Sequence, residues 1–435
     1  MSNRPLAVAA ALVAASLSSA GLAAPAAEQD LHEAPDAMRG SVGEGVPAFA
    51  VRKGYRVEIA AEGINGARFL QLGDDGQLFL SLPREGKILS LKDTDGDGTF
   101  DERADFVVED GSNPHSMDWH DGWLYYSASE PGYLKRARDT DGDGTADEVE
   151  DIVDKSRANP GLEPTGDGIP SGGGHAFRGI LVDADNNRIF LTVSDPSNMT
   201  SELETNRKTL YTFDMSGQNR QVFSTGIRNT EKIRFRIDAD GELTGEVWGA
   251  DHGSDWLGRE YGDNRENQPI TDLNPPDELN HLEEGKFYGH PYLMADRTPR
   301  PEYMDRDDLH ELAIKTEPAA WSFGAHTANN GFTFVGTPAA ELFGDPSMAG
   351  DLFQAQHGSW NSSVPVGYSV NRVLFDEATG KPYGEQKIVD CHDGEGRPEA
   401  RPVDCEAMPD GSILWSCDMT GKVYRIVPDD AGSAE

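Results

Sequence analysis

From Val51 onward the apolar residues do not recur at helical spacing. They come in short runs, several of them alternating, cut by turns that combine Asp or Asn with Gly. Phe69-Leu70-Gln71-Leu72 precedes Asp75-Gly76 and Leu78-Phe79-Leu80; Met117-Asp118-Trp119 precedes Asp121-Gly122 and Leu124-Tyr125-Tyr126; Ile180-Leu181-Val182 precedes Asn186-Asn187 and Ile189-Phe190-Leu191. Turns at Asp240-Gly241 and Asp410-Gly411 repeat the theme. Each unit predicts a hairpin. The turns at Asp75, Asp121 and Asn187 lie 46 and 66 residues apart, close to the propeller repeat of roughly 40–50 residues plus loop insertions. The pattern therefore predicts an all-β fold, a six-bladed β-propeller with four antiparallel strands per blade over residues 46–428, with a pair of packed sandwiches as the alternative. Between Asp255 and Glu284 the rhythm gives way to a long polar stretch, expected to be a loop.

The ends read differently. Arg4 precedes an apolar run from Leu6 to Leu22 that closes on small residues around Ala23 to Ala27, so residues 1–27 are expected to be an export signal that is removed. A membrane anchor is the alternative reading of the same run, weakened by its Ala and Ser content. No second long apolar run follows, so no membrane span is expected after removal, and the mature chain is placed in the periplasm or outside the cell. Residues 28–45 and 429–435 are expected to be loose.

Asp and Glu number 76 against 38 Lys and Arg, a net charge of −38. Such a balance disfavours binding to nucleic acid or anionic lipid, both of which require phosphates to be neutralised. Only three Cys occur, at 391, 405 and 417, which excludes a disulfide framework and a four-cysteine zinc site. Cys405 and Cys417 flank the turn Pro409 to Ser412; whether they can bond depends on strand register, which the sequence leaves open.

Two segments carry metal chemistry. Asp93, Asp95, Asp97 and Asp101, and again Asp139, Asp141, Asp143 and Asp147, stand at positions 1, 3, 5 and 9 of a calcium loop, with Gly98 and Gly144 at position 6. Alternate carboxylates converge on a hard cation only where the chain turns sharply. Position 12 is Ala104 in the first loop and Glu150 in the second, so only the second has a candidate closing ligand. The role expected is a calcium staple between strands; a solvated acidic turn is the alternative. A further constellation is Gly172-Gly173-Gly174-His175-Ala176-Phe177-Arg178, which opens a strand. There the glycines admit a ligand, and His175 can accept a proton near neutral pH.

The order of motifs along the chain resembles that of the pyrroloquinoline quinone (PQQ)-dependent sugar dehydrogenases, in particular the sorbosone and pyranose dehydrogenase branch, related to the soluble aldose and glucose dehydrogenases. The matching segments run from Arg68 through Gly174-His175-Ala176-Phe177-Arg178, Thr225-Gly226-Ile227-Arg228-Asn229, Trp248 to Gly258, Pro275 to Asn280, and Gly285 to Pro291. They continue through Gly331 to Phe334, His357-Gly358-Ser359-Trp360-Asn361, Gly367 to Val373, and Arg401-Pro402-Val403 with Asp410-Gly411. The chain departs from the pattern at His252, Ser254 and His290, and it adds an insertion from Arg259 to Leu273.

The resemblance implies a six-bladed propeller with PQQ on one face beside Ca2+, oxidising a sugar, polyol or sugar aldehyde and delivering electrons to an external quinone or cytochrome. His175 matches the family's base. Arg228, Arg372 and Arg178 are the implied partners of the cofactor's negative charge, and Asn229 is an implied hydrogen-bonding partner. His252 and Gly253 match the loop whose carbonyls hold the cofactor calcium, with Asp255 ordering it. Two rival functions are a propeller lactonase or hydrolase that uses metal-bound water, and a non-catalytic propeller that binds glycans or proteins.

Overall fold

A computed structural model describes residues 31–35, 38–128, 133–154, 158–159, 169–170, 173–201 and 206–429. The expected export signal, the tail from residue 430, and Gly172 lie outside the described residues.

The hairpins form where the pattern places them. Asp75, Asp121 and Asn187 have φ of 53°, 48° and 53°, and Gly76 and Gly122 have φ of 77° and 75°. Asp, Asn and Gly are the residues that tolerate this left-handed region, which a tight hairpin turn requires. Blade one comprises Leu70–Leu72, Leu78–Leu82, Lys87–Lys92 and Glu102–Val108, and blade two Pro114–His120, Trp123–Ala128, Tyr133–Arg138 and Glu148–Val153. Blade three is Ile180–Asp183, Arg188–Val193, Thr209–Phe213 and Gln221–Thr225; blade four is Thr230–Ile237, Leu243–Asp251, Pro276–Leu282 and Trp321–Ala325. Blade five is Asn329–Phe334, Leu352–Gln356, Ser369–Asp376 and Lys381–Asp390. Blade six joins both ends of the chain: Pro402–Ala407, Ile413–Cys417 and Lys422–Pro428 are completed by Tyr55–Ala61, in a register running from Tyr55 opposite Pro428 to Ala61 opposite Val423. Ala50–Val51 extends blade five, and Ser41–Val42 pairs in parallel with Arg56 and Val57, so that part of the polar lead segment is pinned.

The first strand of each blade touches the first strand of the next, and the cycle closes from blade six back to blade one. Apolar side chains fill the wedges between blades. Between blades five and six Trp415 stacks on Tyr424 with ring centroids 4.2 Å apart, and Phe49 packs against both. The axis, by contrast, is charged. The fully buried Asp404 receives Lys232 Nζ at 2.6 Å on each carboxylate oxygen and the Leu70 N–H at 2.8 Å, and Arg234 lies 3.6 Å from Asp118. Buried charges persist only when paired in this way, and these pairs tie the inner strands of blades one, two, four and six together.

One expectation changes, and one question that the sequence left open is answered. The stretch from Asp255 to Glu284 is not one loop: two short 3-10 turns, Leu257–Tyr261 and Thr271–Leu273, lead into Pro276–Leu282, the third strand of blade four. Asn274, Pro275 and Pro276 mask that strand in the sequence, yet Pro is tolerated as a strand's first residue. The cysteines do not bond. An irregularity in register places Cys417 opposite Pro402 and Cys405 opposite Trp415, and all three thiols are free and buried. Among the described residues no helix is long and apolar enough to cross a membrane.

Candidate active site

His175 lies just before the inner strand of blade three, half-buried, with Nδ1 2.9 Å from the carbonyl oxygen of Asp195. A carbonyl only accepts, so Nδ1 carries the proton and Nε2 keeps its lone pair. Burial, then the charge of Arg228, brings the imidazole pKa down to about 3. The same Asp195 donates its backbone N–H to the Arg228 carbonyl at 2.8 Å. Its buried carboxylate accepts from the backbone N–H groups of Ser197 and Thr200 and from His290 Nε2, the last at 2.8 Å. One residue therefore ties the imidazole to the Arg228 backbone, and the guanidinium lies close enough for its charge to depress the imidazole pKa. Asp195 had no sequence signal beyond its position in Asp195-Pro196-Ser197, a turn-forming run.

Arg228 is 5% exposed. Its Nε donates to the Asn198 carbonyl at 2.8 Å, Nη2 to Asn198 Oδ1 at 2.9 Å, and Nη1 to the His252 carbonyl at 3.1 Å. Burial lowers its pKa against the pull of Asp255, Asp251 and Asp195, but a guanidinium starts so high that it stays charged. Next to it, Asn229 Nδ2 lies 3.0 Å from His252 Nδ1 and 3.2 Å from Glu231 Oε1. His252 Nε2 is 3.1 Å from the Asn329 carbonyl, which fixes that ring with Nε2 protonated. Asn229 Oδ1 is buried without a hydrogen-bond partner among the described residues.

The chain of contacts continues around the axis. Glu231 Oε2 accepts from Arg68 at 3.1 Å; Arg68 Nη1 is 3.4 Å from His357 Nε2; His357 Nε2 is 3.1 Å from Asp418, and Asp418 takes two hydrogen bonds from Arg401 at 2.8 Å. Beneath lies an aromatic floor. The fully buried His115 stacks on Phe177 at 3.8 Å with an interplanar angle of 6°, Phe69 packs on His115, and the Arg68 guanidinium sits 5.3 Å from the Phe177 ring. Both ring nitrogens of His115 lack hydrogen-bond partners, and burial holds its pKa well below the ordinary value. Sequence reasoning missed Glu231, His115 and Asp418, and it marked Phe177 and His357 as motif members without a role, because a single acidic, aromatic or imidazole residue at or beside a strand end has no periodicity to mark it.

The other expected site residues divide. Asp255 joins the group through its backbone, accepting and donating with Asn198, and burial raises its carboxyl pKa. Arg178 is almost fully buried and donates to the Pro170 carbonyl under the glycine run. Arg372 does not join the group. It stands on the third strand of blade five, where Asp351 at 2.6 Å, Asp345 at 2.7 Å, Ser347 and the Tyr55 hydroxyl take its donors. The expectation that it faces the cofactor is corrected accordingly, because its partners come from the turn before the second strand of blade five and from blade six, and none belongs to the group around His175. Gly253 is held by its N–H to Asp277 Oδ1 at 2.6 Å.

In the acidic loops the carboxylates of Asp93, Asp95 and Asp97 converge, as do those of Asp139, Asp141 and Asp147, each set with ligand atoms within 4.8 Å of one another. Asp101 and Asp143 fall outside these two sets. Glu150 is not a closing ligand. It pairs with Arg136 across the strands at 2.6 Å, a partner that sequence spacing could not reveal.

The fit of the implied groups can be tested on these contacts. Guanidiniums at 68, 228 and 401, an orphaned buried amide oxygen at 229 and an aromatic floor ending on the half-buried Phe177 suit a planar, anionic aromatic molecule. A cofactor calcium at the His252 loop does not suit. The His252 carbonyl already accepts from a cation, Arg228, so an ion there would face a guanidinium rather than a free oxygen.

Fold and site together define a six-bladed propeller with an imidazole and a ring of guanidiniums at one end of its axis. The TrAA12-like family pattern matches residues 49–429, and the chain belongs to that family. It is similar in structure to the iodide form of the Trichoderma reesei carbohydrate-active enzyme of family AA12, with a TM-score of 0.69 at 16% identity over 88% of this chain and 98% of that one. The holo form of the pyranose dehydrogenase PQQ domain from Coprinopsis cinerea gives a TM-score of 0.68 at 17% identity, over 89% of this chain and all of that one. An uncharacterized protein of Borreliella burgdorferi is 26% identical over 260 residues, 58% of this chain and 60% of that protein's length.

Proposed function

We propose that the chain is an exported PQQ-dependent dehydrogenase that oxidises a sugar, aldose or sugar aldehyde and passes the electrons to an external quinone or cytochrome. Membership of the TrAA12-like family supports an oxidoreductase acting on sugars, and the run from Arg4 to Ala27 supports export. The observation that carries the reading is the junction at Asp195, which ties a neutral imidazole to the residue bearing a buried guanidinium whose charge it feels. PQQ, when bound, supplies the acceptor for a hydride. The protein's own groups do the rest. Arg68, Arg228 and Arg401 offer charge-assisted donors to carboxylates, Asn229 offers an amide, and Phe177 offers a flat face. His175 Nε2, unprotonated at any pH well above about 3, takes the proton of the sugar hydroxyl. The paired acidic loops, remote from this chemistry in role, would bind calcium as staples of blades one and two.

The test is reconstitution with PQQ and a screen of neutral sugars with a dye acceptor. Turnover that disappears in His175→Ala, with the fold retained by circular dichroism, supports the reading. Absence of both PQQ binding and turnover refutes it.

A further inference from the structure

The insertion that departs from the family pattern is built into the site's border. Asp255, bonded through its backbone to Asn198, starts one segment; His357, bonded to Asp418, starts another. The two are stitched together. Trp256 donates its N–H to Asn361 Oδ1 at 2.7 Å, Gln268 Nε2 donates to the Asn361 carbonyl at 3.0 Å, and the Ser363 N–H and hydroxyl both donate to Asp272. Within the insertion Asp263 accepts from the N–H groups of Ile270 and Thr271, and His326 Nε2 lies 2.6 Å from the Thr271 carbonyl. Trp256 adopts a left-handed backbone, φ 62°, and the Arg259 guanidinium sits 4.3 Å from its ring.

So many bonds fix the backbone of this rim, and among its exposed charged and amide side chains it holds large apolar ones out in solvent. Trp360 is 85% exposed, the most exposed large hydrophobic side chain among the described residues, and Leu273, Tyr261 and Val364 on the same two segments are 75%, 61% and 60% exposed. Large exposed rings held on a fixed backbone, and tied to Arg228 through Asp255 and Asn198, are what a ligand-binding surface presents. Its chemistry selects the ligand. Flat indole and phenol rings accept the C–H face of a pyranose, and the surrounding Glu260, Arg259, Arg265 and Asp272 can hydrogen-bond its hydroxyls. The net charge of −38 disfavours a polyanionic polysaccharide, which leaves neutral sugars as the class that these rings fit best.

We infer that the rim of residues 256–273 and 357–366 is a sugar-binding platform, and that the substrate is a neutral oligosaccharide whose reacting unit lies at His175 while a further unit stacks on Trp360 or Tyr261. This deepens the proposed function and rests on it. The experiment compares wild type, Trp360→Ala and Tyr261→Ala, each loaded with PQQ, on glucose against maltotetraose and cellotetraose with one dye acceptor. In parallel, the binding of each tetrasaccharide to the apoprotein is followed by tryptophan fluorescence and by gel retardation. Wild type should favour one tetrasaccharide in kcat/KM, and that preference should fall about tenfold in Trp360→Ala through KM, with a matching loss of apoprotein binding. Equal kcat/KM for glucose and both tetrasaccharides in wild type, or an undiminished preference in both variants, overturns the platform. A variant defect that appears only on changing from the dye to a cytochrome acceptor also overturns it, and reassigns the rim to electron transfer. Turnover of no sugar, together with no PQQ binding, removes the dehydrogenase reading instead; tetrasaccharide binding to the apoprotein that is lost in Trp360→Ala would still support the platform.

Discussion

His175 and Arg228 meet through one intervening residue: the Asp195 carbonyl accepts from His175 Nδ1 at 2.9 Å, and the Asp195 N–H donates to the Arg228 carbonyl at 2.8 Å. The side chain of Asp195 determines how firmly that residue is held, since it is capped by two backbone N–H groups and by His290. Asp195→Ala should therefore release the loop and lower kcat by about 10²-fold, the scale expected when a general base is displaced by about 1 Å. Asp195→Asn keeps one acceptor oxygen, enough for the Ser197 or the Thr200 N–H but not both, and should lose less than the alanine variant. Equal losses in the two variants, measured by steady-state kinetics, would show that the carboxylate geometry is not what positions His175.

The pH dependence follows from four imidazoles. Burial brings His175 to about 3 and His290 and His357 to about 4, and holds His115 well down too, against an ordinary value of 6.5. The unfolded chain therefore binds protons that the folded chain refuses, so their contribution to stability is intact above about 6.5 and is lost as pH falls from there toward 4 and 3. Asp418 adds to this at lower pH. Burial would raise its carboxyl, but the His357 and Arg401 hydrogen bonds outweigh that and hold it below the usual range. Urea midpoints should fall steadily from pH 6.5 to 4. In Arg228→Gln, which deletes the second cause of the His175 shift, the His175 titration seen by NMR should move upward yet remain below 6.5, because burial is the larger cause.

At the axis, Lys232 and Asp404 are both buried and mutually paired at 2.6 Å. Lys232→Met strands the carboxylate and should cost about 3–5 kcal/mol in chemical denaturation, while the double variant Lys232→Met, Asp404→Leu should recover most of it. A single variant as stable as wild type would mean that the axis does not depend on the pair.

If the loops at 93–101 and 139–147 bind calcium, chelation should lower Tm by several degrees, and Asp93→Asn with Asp139→Asn should abolish that shift. Bound PQQ should survive chelation, because the His252 carbonyl is taken by Arg228. Release of PQQ by the chelator would place calcium at the cofactor after all.

The blade plan was legible in the sequence because alternation and Asp-Gly turns are local signals, and Asp75 and Asp121 take the turn conformations that those residues favour. The strand Pro276–Leu282 was not legible, since its opening prolines resemble a turn. His175, Arg228 and Asn229 were legible as motif members. Arg372 was a motif member too, but its partners Asp345 and Asp351 become neighbours only through the pairing within blade five and the short turn before it. The same holds for Glu150, claimed by Arg136 across a strand pair. The residues that hold the site, Asp195, Glu231 and Asp418, act through contacts spanning two or more blades, which no local pattern encodes.

The most direct measurement is calorimetric titration of the purified, metal-chelated protein with PQQ, run beside Arg228→Gln. Saturable heat at one equivalent, weakened at least tenfold in the variant, is the predicted result; a flat titration, or a wild-type isotherm that the variant reproduces unchanged, would contradict the account.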